Sequence, residues 1–445
     1  MGTLPPGPPI PPALQTALML RWWSGFALAC QRRYGDVFTV RLAGYGAGVY
    51  LSNPDDIKTV FAGDPRTFHA GEANSVLGGI LGRSSVLVLD EDLHRDRRRL
   101  MLAPFARSAV ARQTDLIAEI AAANIAGWPV GREFAVAPKM SEITLEVILR
   151  TAIGASDPQR LAALRSLMPR LLSLGYFDTM AIARPRLQRR WLWRGLGRRI
   201  GEADELLYAE IADRRADPNL AERTDALAML VRAADEDGRQ MTDTELRDQL
   251  MTLLLAGHDT TATALSWALE RLTRHPDVLA RAVAAADAED DEYLDALAKE
   301  TLRIRPVVFD VGRVLTSPVD IAGYRLPAGI TVIPAIGLVH ASSAVYDNPT
   351  EFRPERMLGA SAQMLTPTTW LPFGGGNRRC LGANLALAEM RVVLGEVLRR
   401  VELRTTTAPG EKPRVSGVVH QPHRGARIRL HALRSANVHG TAPRQ

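Results

Sequence analysis

The chain has 445 residues, 46% of them hydrophobic, with 55 Lys and Arg against 49 Asp and Glu and two cysteines. That length supports a large buried core. Two cysteines are too few for a disulfide framework, which favours a reducing, intracellular setting, and no apolar run approaches the roughly 18 residues of a membrane span. The net charge of +6 is nearly all arginine; it suits an acidic partner or an anionic surface, and equally a solvated arginine-rich exterior.

The first residues, MGTLPPGPPIPP, lack a charged region followed by an apolar one, so no signal peptide and a cytoplasmic location are expected. An apolar-aromatic helix is predicted from about Leu14 to Arg33, ending near Gly35. Strand-like runs follow at Val37 to Leu42 and Gly48 to Ser52, joined by a glycine-rich turn. Apolar spacing of three and four predicts helices over Ala109 to Trp128, Ser141 to Ala152 and Gly201 to Arg215. The longest candidate runs from Thr242 to His275. Thr242 and Glu245 have capping-box spacing, and His275-Pro276 ends it. Its middle, LLLAGHDTTATAL, is apolar on most sides and should cross the core. Past Pro306 come short strands and turns, then a long loop from about Asn348 to Gly376. A last helix begins near Cys380 and runs to about Val401. With no repeat and no linker, one large domain is expected over residues 1–432, mainly α with a smaller β-rich part. Residues 433–445 read as a flexible tail.

The stretch FGGGNRRCLG, Phe373 to Gly382, carries one of the two cysteines. Gly374, Gly375 and Gly376 permit a backbone path closed to other residues. The following helix turns free N–H groups toward Cys380, and Arg378 and Arg379 add positive charge. Such a site holds a thiolate, as nucleophile, redox sensor or metal ligand. Zinc would want further Cys or His close by; a single thiolate suffices for haem, whose porphyrin supplies the other in-plane ligands.

The order Phe373, Gly376, Arg378, Cys380, Gly382 resembles the haem-binding signature of the cytochromes P-450. Other segments agree in chain order. Glu300 and Arg303, followed by Pro306, resemble the Glu-x-x-Arg motif of that family, and FRPERM supplies Arg356 as its expected partner. Ala256-Gly257-His258-Asp259-Thr260-Thr261 resembles the central-helix motif. His94 and Arg98 resemble a His-x-x-x-Arg pair, and Arg313 matches another propionate-binding position. The resemblance spans the proline-rich lead to about Leu430, and the composition looks bacterial, in the manner of actinobacteria.

The resemblance implies a triangular α-helical prism, with haem b between the long central helix and the Cys-loop helix. It implies Cys380 as the iron's thiolate ligand, with Phe373, Ala256 and Gly382 also against the cofactor. His94, Arg98, Arg313 and Arg378 would meet the propionates, and Asp259 and Thr260 would deliver protons on the distal side. Glu300, Arg303 and Arg356 would be structural. The function implied is monooxygenation, one atom of dioxygen inserted into a lipophilic small molecule. Val86, Leu87, Leu255, Val307, Val308, Phe309, Val311 and Val419 are the expected pocket wall, with Asp310 and His420 as polar candidates that more often serve as satisfied loop residues. No flavin or nicotinamide domain is attached, so a separate ferredoxin and reductase are the expected electron source, docking near Arg95, Arg97 and Arg99. The stretch RPRLQRRWLWRGLGRR, Arg184 to Arg199, interleaves Trp191 and Trp193 with arginines and suits an anionic membrane surface as well as it suits a solvated connection. No nucleic-acid-binding module is visible.

Overall fold

The computed structural model describes residues 4–155, 157–172, 194–363 and 365–434. Most of the expected tryptophan-arginine stretch, residues 184–193, and the tail from residue 435 lie outside them. The described chain runs past the expected boundary: its last described strand is Arg427–Leu433, and Arg434 binds both carboxylate oxygens of Asp287 at 2.9 and 2.7 Å.

The central helix is Asp243–Leu272, 30 residues long, or about 45 Å. Its capping box is complete. The Thr242 hydroxyl accepts from the Glu245 N–H, and the Glu245 carboxylate accepts from the Thr242 N–H. The helix lies most extensively against Ala137–Ile148. Gly257 makes that approach close, since a Cβ there would stand 3.0 Å from Ile148 Cδ1. The Cys-loop helix, Ala383–Arg400, and the Glu-x-x-Arg helix, Asp291–Ile304, complete one continuous apolar core with these two.

Sheet structure gathers at one side. Five strands pair in the order Val37–Leu42, Gly46–Leu51, Thr331–Pro334, Arg313–Leu315 and Phe68–His69. The second and third run parallel although distant in sequence. A hairpin of Pro413–Ser416 and Val419–Pro422 packs on the central helix. The N-terminal helix, Pro12–Tyr34, covers a separate small core with the first two strands.

Two predicted helices are interrupted. Residues 109–128 divide into Arg107–Ala111 and Thr114–Ile125. Ala137–Ile148 continues as a π-helical turn, Leu149–Ile153, closed by Gly154 at φ 63°. Arg214, 2% exposed, fixes that turn by donating to the carbonyls of Ile153 and Gly154, both at 3.1 Å.

Candidate cofactor and active site

The cysteine loop is held from beneath. Gly374 and Gly376 both sit at φ 65°, a region that strains other residues. A Cβ on Gly375 would lie 2.3 Å from the Phe61 ring, and one on Gly376 2.0 Å from the Phe61 carbonyl. The Cys380 N–H donates to the Phe373 carbonyl at 2.9 Å, and the Phe373 ring meets Trp370 edge-on. Cys380 is exposed, yet burial pushes its thiol pKa upward against the pull of the Gly382 N–H, Arg379 and Arg98.

Beside it stand four basic side chains, His94 and Arg313 buried and Arg98 and Arg378 partly buried. His94 is 3% exposed and Arg313 7%. Burial, then Arg378, Arg98 and Arg313, push the His94 imidazole down to about 3. Burial and the neighbouring arginine lower Arg313 to about 10. Arg378 also falls to about 10, with Asp90 opposing, and burial lowers Arg98. Asp90 is the one carboxylate within contact of the cluster among the described residues. It pairs with Arg378 and already accepts the Gly71 and Glu72 N–H groups at 2.8 Å. Arg98 and Arg313 form no ion pair with a described residue; the Arg313 guanidinium reaches only the Gly312 carbonyl, at 2.8 Å. Buried charge left short of partners is costly, so this cluster is shaped for an anionic ligand.

The central helix is closed on nearly all sides except at its middle. There Leu255, Ala256, Gly257, Asp259 and Thr260 are open, Ala256 most of all, while the flanking turns are buried. The Asp259 carboxylate accepts from Gln421 Nε2 at 3.0 and 3.3 Å. Burial raises its pKa, and no cation lies close enough to lower it. Thr260 Oγ1 donates to the Ala256 carbonyl at 2.7 Å, and the helix runs through the motif without a break. Gly257 therefore serves helix packing, and the local kink its size permits is not present. His258 faces away from the opening, with Nε2 2.8 Å from Ser141 Oγ.

Glu300, Arg303 and Arg356 come together as the sequence predicts, but buried. Arg303 donates to both Glu300 oxygens at 2.7 and 2.8 Å, and to the carbonyls of His340, Pro349 and Glu351 at 3.0, 2.8 and 3.0 Å. Arg356 Nε stands 3.5 Å from Glu300. Glu300 also accepts the Arg353 N–H at 3.0 Å. The group ties the Glu-x-x-Arg helix to the loop that leads into the cysteine.

The cytochrome P450 family model matches residues 5–426. The chain belongs to the cytochrome P450 family. It is 68% identical to cytochrome P450 135B1 of Mycobacterium tuberculosis over 99% of this chain and 94% of that one. It is 42% identical to cytochrome P450 135A1 of the same species over 96% and 95%. Among solved structures, retinoic acid-bound cyanobacterial CYP120A1 superposes with TM-score 0.83 at 25% identity, over 97% of this chain and all of that one. The cytochrome P450DA heme domain shares the fold at TM-score 0.83 and 23% identity, over 98% and 99%. The family supplies the enzyme class, a haem-thiolate monooxygenase, and the cofactor, haem b. A cysteine at the mouth of the Ala383–Arg400 helix, beside the underpaired Arg98 and Arg313, fits a cofactor that would take one thiolate ligand and bring anionic propionates.

The remaining P450 residues divide. Val86, Leu87, Leu255, Val307 and Val419, from four segments, share the main apolar core. Val308 is partly open and belongs to no core cluster. Two expected pocket residues do not fit. Phe309 packs into the core under the N-terminal helix, its ring occupying the space a Cβ on Gly337 would need, and Val311 joins the core of the sheet. Arg97 is a third correction. It is 8% exposed and pairs with Glu245, so it offers no docking surface; Arg95 and Arg99 are exposed and paired with Asp92, Asp96 and Glu236. Sequence reasoning missed Gln421 and Asp90. Asp90 directly precedes the helix Glu91–Leu100, and its side chain makes no cap hydrogen bond there.

Proposed function

We propose that the chain oxidises a lipophilic small molecule, drawing electrons from a separate ferredoxin and reductase, as one domain that reaches at least Arg434, in the cytoplasm. When bound, haem b supplies dioxygen activation. Cys380 holds the iron through its thiolate. His94, Arg98, Arg313 and Arg378 bind the propionates, and the uncompensated charge of this cluster is the observation that carries the reading. Phe373 and Gly382 flank the ligand loop, and Ala256 leaves the distal face clear. Burial raises the Asp259 carboxyl pKa, against the pull of the Gln421 amide that donates to it, so the group is suited to pass a proton on the distal side. The Thr260 hydroxyl donates to the Ala256 carbonyl and keeps lone pairs free to accept from a water, which would orient it at the helix opening.

The apolar wall of Val86, Leu87, Leu255, Val307, Val308 and Val419 supports a lipophilic substrate. So does the structural neighbour described as bound to retinoic acid. The exposed Arg95 and Arg99 suit an acidic ferredoxin, though their ion pairs must open for it. Peripheral membrane contact through residues 184–199 accompanies this reading. No helix among the described residues is long and apolar enough to cross a membrane.

The test is the carbon monoxide difference spectrum of the reduced protein. A strongly red-shifted, thiolate-type Soret band is expected, and it should vanish in Cys380→Ser. Retention of that band in the variant would sink the ligand assignment. Thr260→Ala should divert a several-fold larger share of reducing equivalents to peroxide. Unchanged coupling would remove Thr260 from proton delivery.

A further inference from the structure

The turn of the central helix that carries Asp259 and Thr260 is open on one side and held on the other. Asp259 and Thr260 are partly open, whereas His258 and Thr261 between and beyond them are 2% and 4% exposed. The helix Ala137–Ile148 packs behind this turn and reaches it with Ser141, Thr144 and Ile148. Their spacing of three and four puts all three on one face. Ser141 Oγ lies 2.8 Å from His258 Nε2. Thr144 Oγ1 donates to the His258 carbonyl at 3.1 Å, nearer than the Ser141 carbonyl at 3.4 Å. Ile148 fills the space beside Gly257, where a Cβ would stand 3.0 Å from its Cδ1. The helix runs unbroken through residue 258, so the Thr144 bond uses the second lone pair of a carbonyl already in the ladder.

Stability alone does not account for a histidine here. Its Nδ1 is fully enclosed and has no partner among the described residues. An enclosed polar nitrogen without a partner costs free energy that a leucine at the same place would not. What the ring adds is direction. Apolar contact is non-directional and tolerates small slides and rotations of one helix on another. The Ser141–His258 bond and the Thr144 bond to the same residue fix where position 258 sits along the Ala137–Ile148 helix. Asp259 and Thr260 follow it directly, and Thr260 is tied to the same turn by its bond to the Ala256 carbonyl at 2.7 Å. A shift of the backbone at 258 carries both side chains with it.

We propose that Ser141 and His258 are positioning residues for proton delivery, a clamp that holds the Thr260 hydroxyl and the Asp259 carboxyl in place at the helix opening. They act through those two residues, without contact with substrate or cofactor. The clamp rests on the reading of Asp259 and Thr260 as the distal proton-delivering pair. Ser141 also stands on the wall of an open groove of about 580 Å³, shared with Asn124, Pro138 and Glu142, which leaves room beside its hydroxyl for one more methyl group.

Three variants of the haem-loaded protein test it. Ser141→Ala removes the hydroxyl, Ser141→Thr keeps it, and His258→Leu removes the polar ring but keeps an apolar side chain. With a ferredoxin and its reductase supplying electrons, the share of reducing equivalents lost to peroxide should rise several-fold in Ser141→Ala and His258→Leu. Ser141→Thr should restore the share seen in the unaltered protein. Ser141→Ala added to Thr260→Ala should raise it no further, because residues that act as one unit are not additive. Hydrogen exchange at the amides of residues 259–262 should quicken by about tenfold in the two removal variants, through easier local opening, and return in Ser141→Thr. The melting temperature of His258→Leu should hold or rise. Where Thr260→Ala raises peroxide, the clamp is overturned if both removal variants leave the share unchanged, if Ser141→Thr fails to restore it, or if the double variant adds to Thr260→Ala. A fall in the melting temperature of His258→Leu with unaltered exchange and coupling would reduce the pair to a packing contact. Where Thr260→Ala itself changes nothing, the proton-delivery reading fails instead, and the exchange rates decide the clamp: quickened and restored it stands as a helix-positioning device, unquickened it falls.

Discussion

Arg303 and Arg313 lie ten positions apart, and the fold treats them oppositely. Both are buried, at 1% and 7% exposure. Arg303 spends its donors on both oxygens of Glu300 and on three carbonyls. Arg313 reaches one neighbouring carbonyl and faces Arg378, a like charge. A buried ion saturated by its own chain holds the chain together. One left short of partners costs stability until something else arrives. The contrast separates the residues that hold the P450 fold from those that await its cofactor.

The contrast predicts opposite outcomes for the same chemical change. Arg303→Leu strands the Glu300 carboxylate in the core and frees three carbonyls. Removing one partner of such a pair costs about 3–5 kcal/mol, a large part of the stability of most domains. We expect little soluble protein, and a melting temperature well below that of the unaltered chain in whatever is recovered. A normal melting temperature would mean the pair is dispensable.

Arg313→Leu should do the reverse to the cofactor-free protein. It removes an underpaired buried charge and offers an apolar side chain to Phe61, whose ring already lies 5.7 Å from the guanidinium. The cofactor-free melting temperature should hold or rise, while haem affinity falls by about tenfold or more, read from haem transfer to apomyoglobin. A drop in cofactor-free stability with haem affinity unchanged would move Arg313 into the fold-holding class and dissolve the comparison.

This division also explains what could be read from the sequence. Glu300 and Arg303 share one turn of a helix, and Cys380 lies inside a ten-residue loop, so each sits in a short motif whose resemblance to the family's could be seen. His94 and Arg98 likewise stand one turn apart. The partners that complete the site come from far away. Gln421 reaches Asp259 across 162 positions. Arg378 meets Asp90 across 288. No periodicity encodes such contacts. Arg97 went astray for a related reason. It sits in a helix of charged residues that reads as solvated, and only the distant Glu245 turns it inward. Phe309 was misplaced because an apolar residue near a pocket and an apolar residue behind it look alike in sequence; Gly337, whose missing side chain makes room for the ring, decided between them.

The smallest expected effect is the sharpest test, because it reads the ligand cluster by proton count. Burial lowers four histidines: His94 and His340 to about 3, His258 and His420 to about 4. Each titrates near 6.5 when unfolded. Between about pH 6.5 and 4 the unfolded chain takes up protons that the folded chain refuses, so stability is full above 6.5 and falls with acid. Asp310, raised to about 6, works the other way, since there the folded chain binds a proton first and acid favours it. Asp310 therefore offsets part of the acid loss that the histidines bring. Haem changes one of these groups. Two propionates beside His94 would raise its pKa toward the unfolded value, whereas His258, bonded to Ser141, and the buried His340 would not respond. Melting temperature against pH, from 7 to 5, should fall more steeply without cofactor than with it, by the equivalent of up to one proton. Parallel curves would place His94 outside the reach of the propionates and leave the cluster to its three arginines.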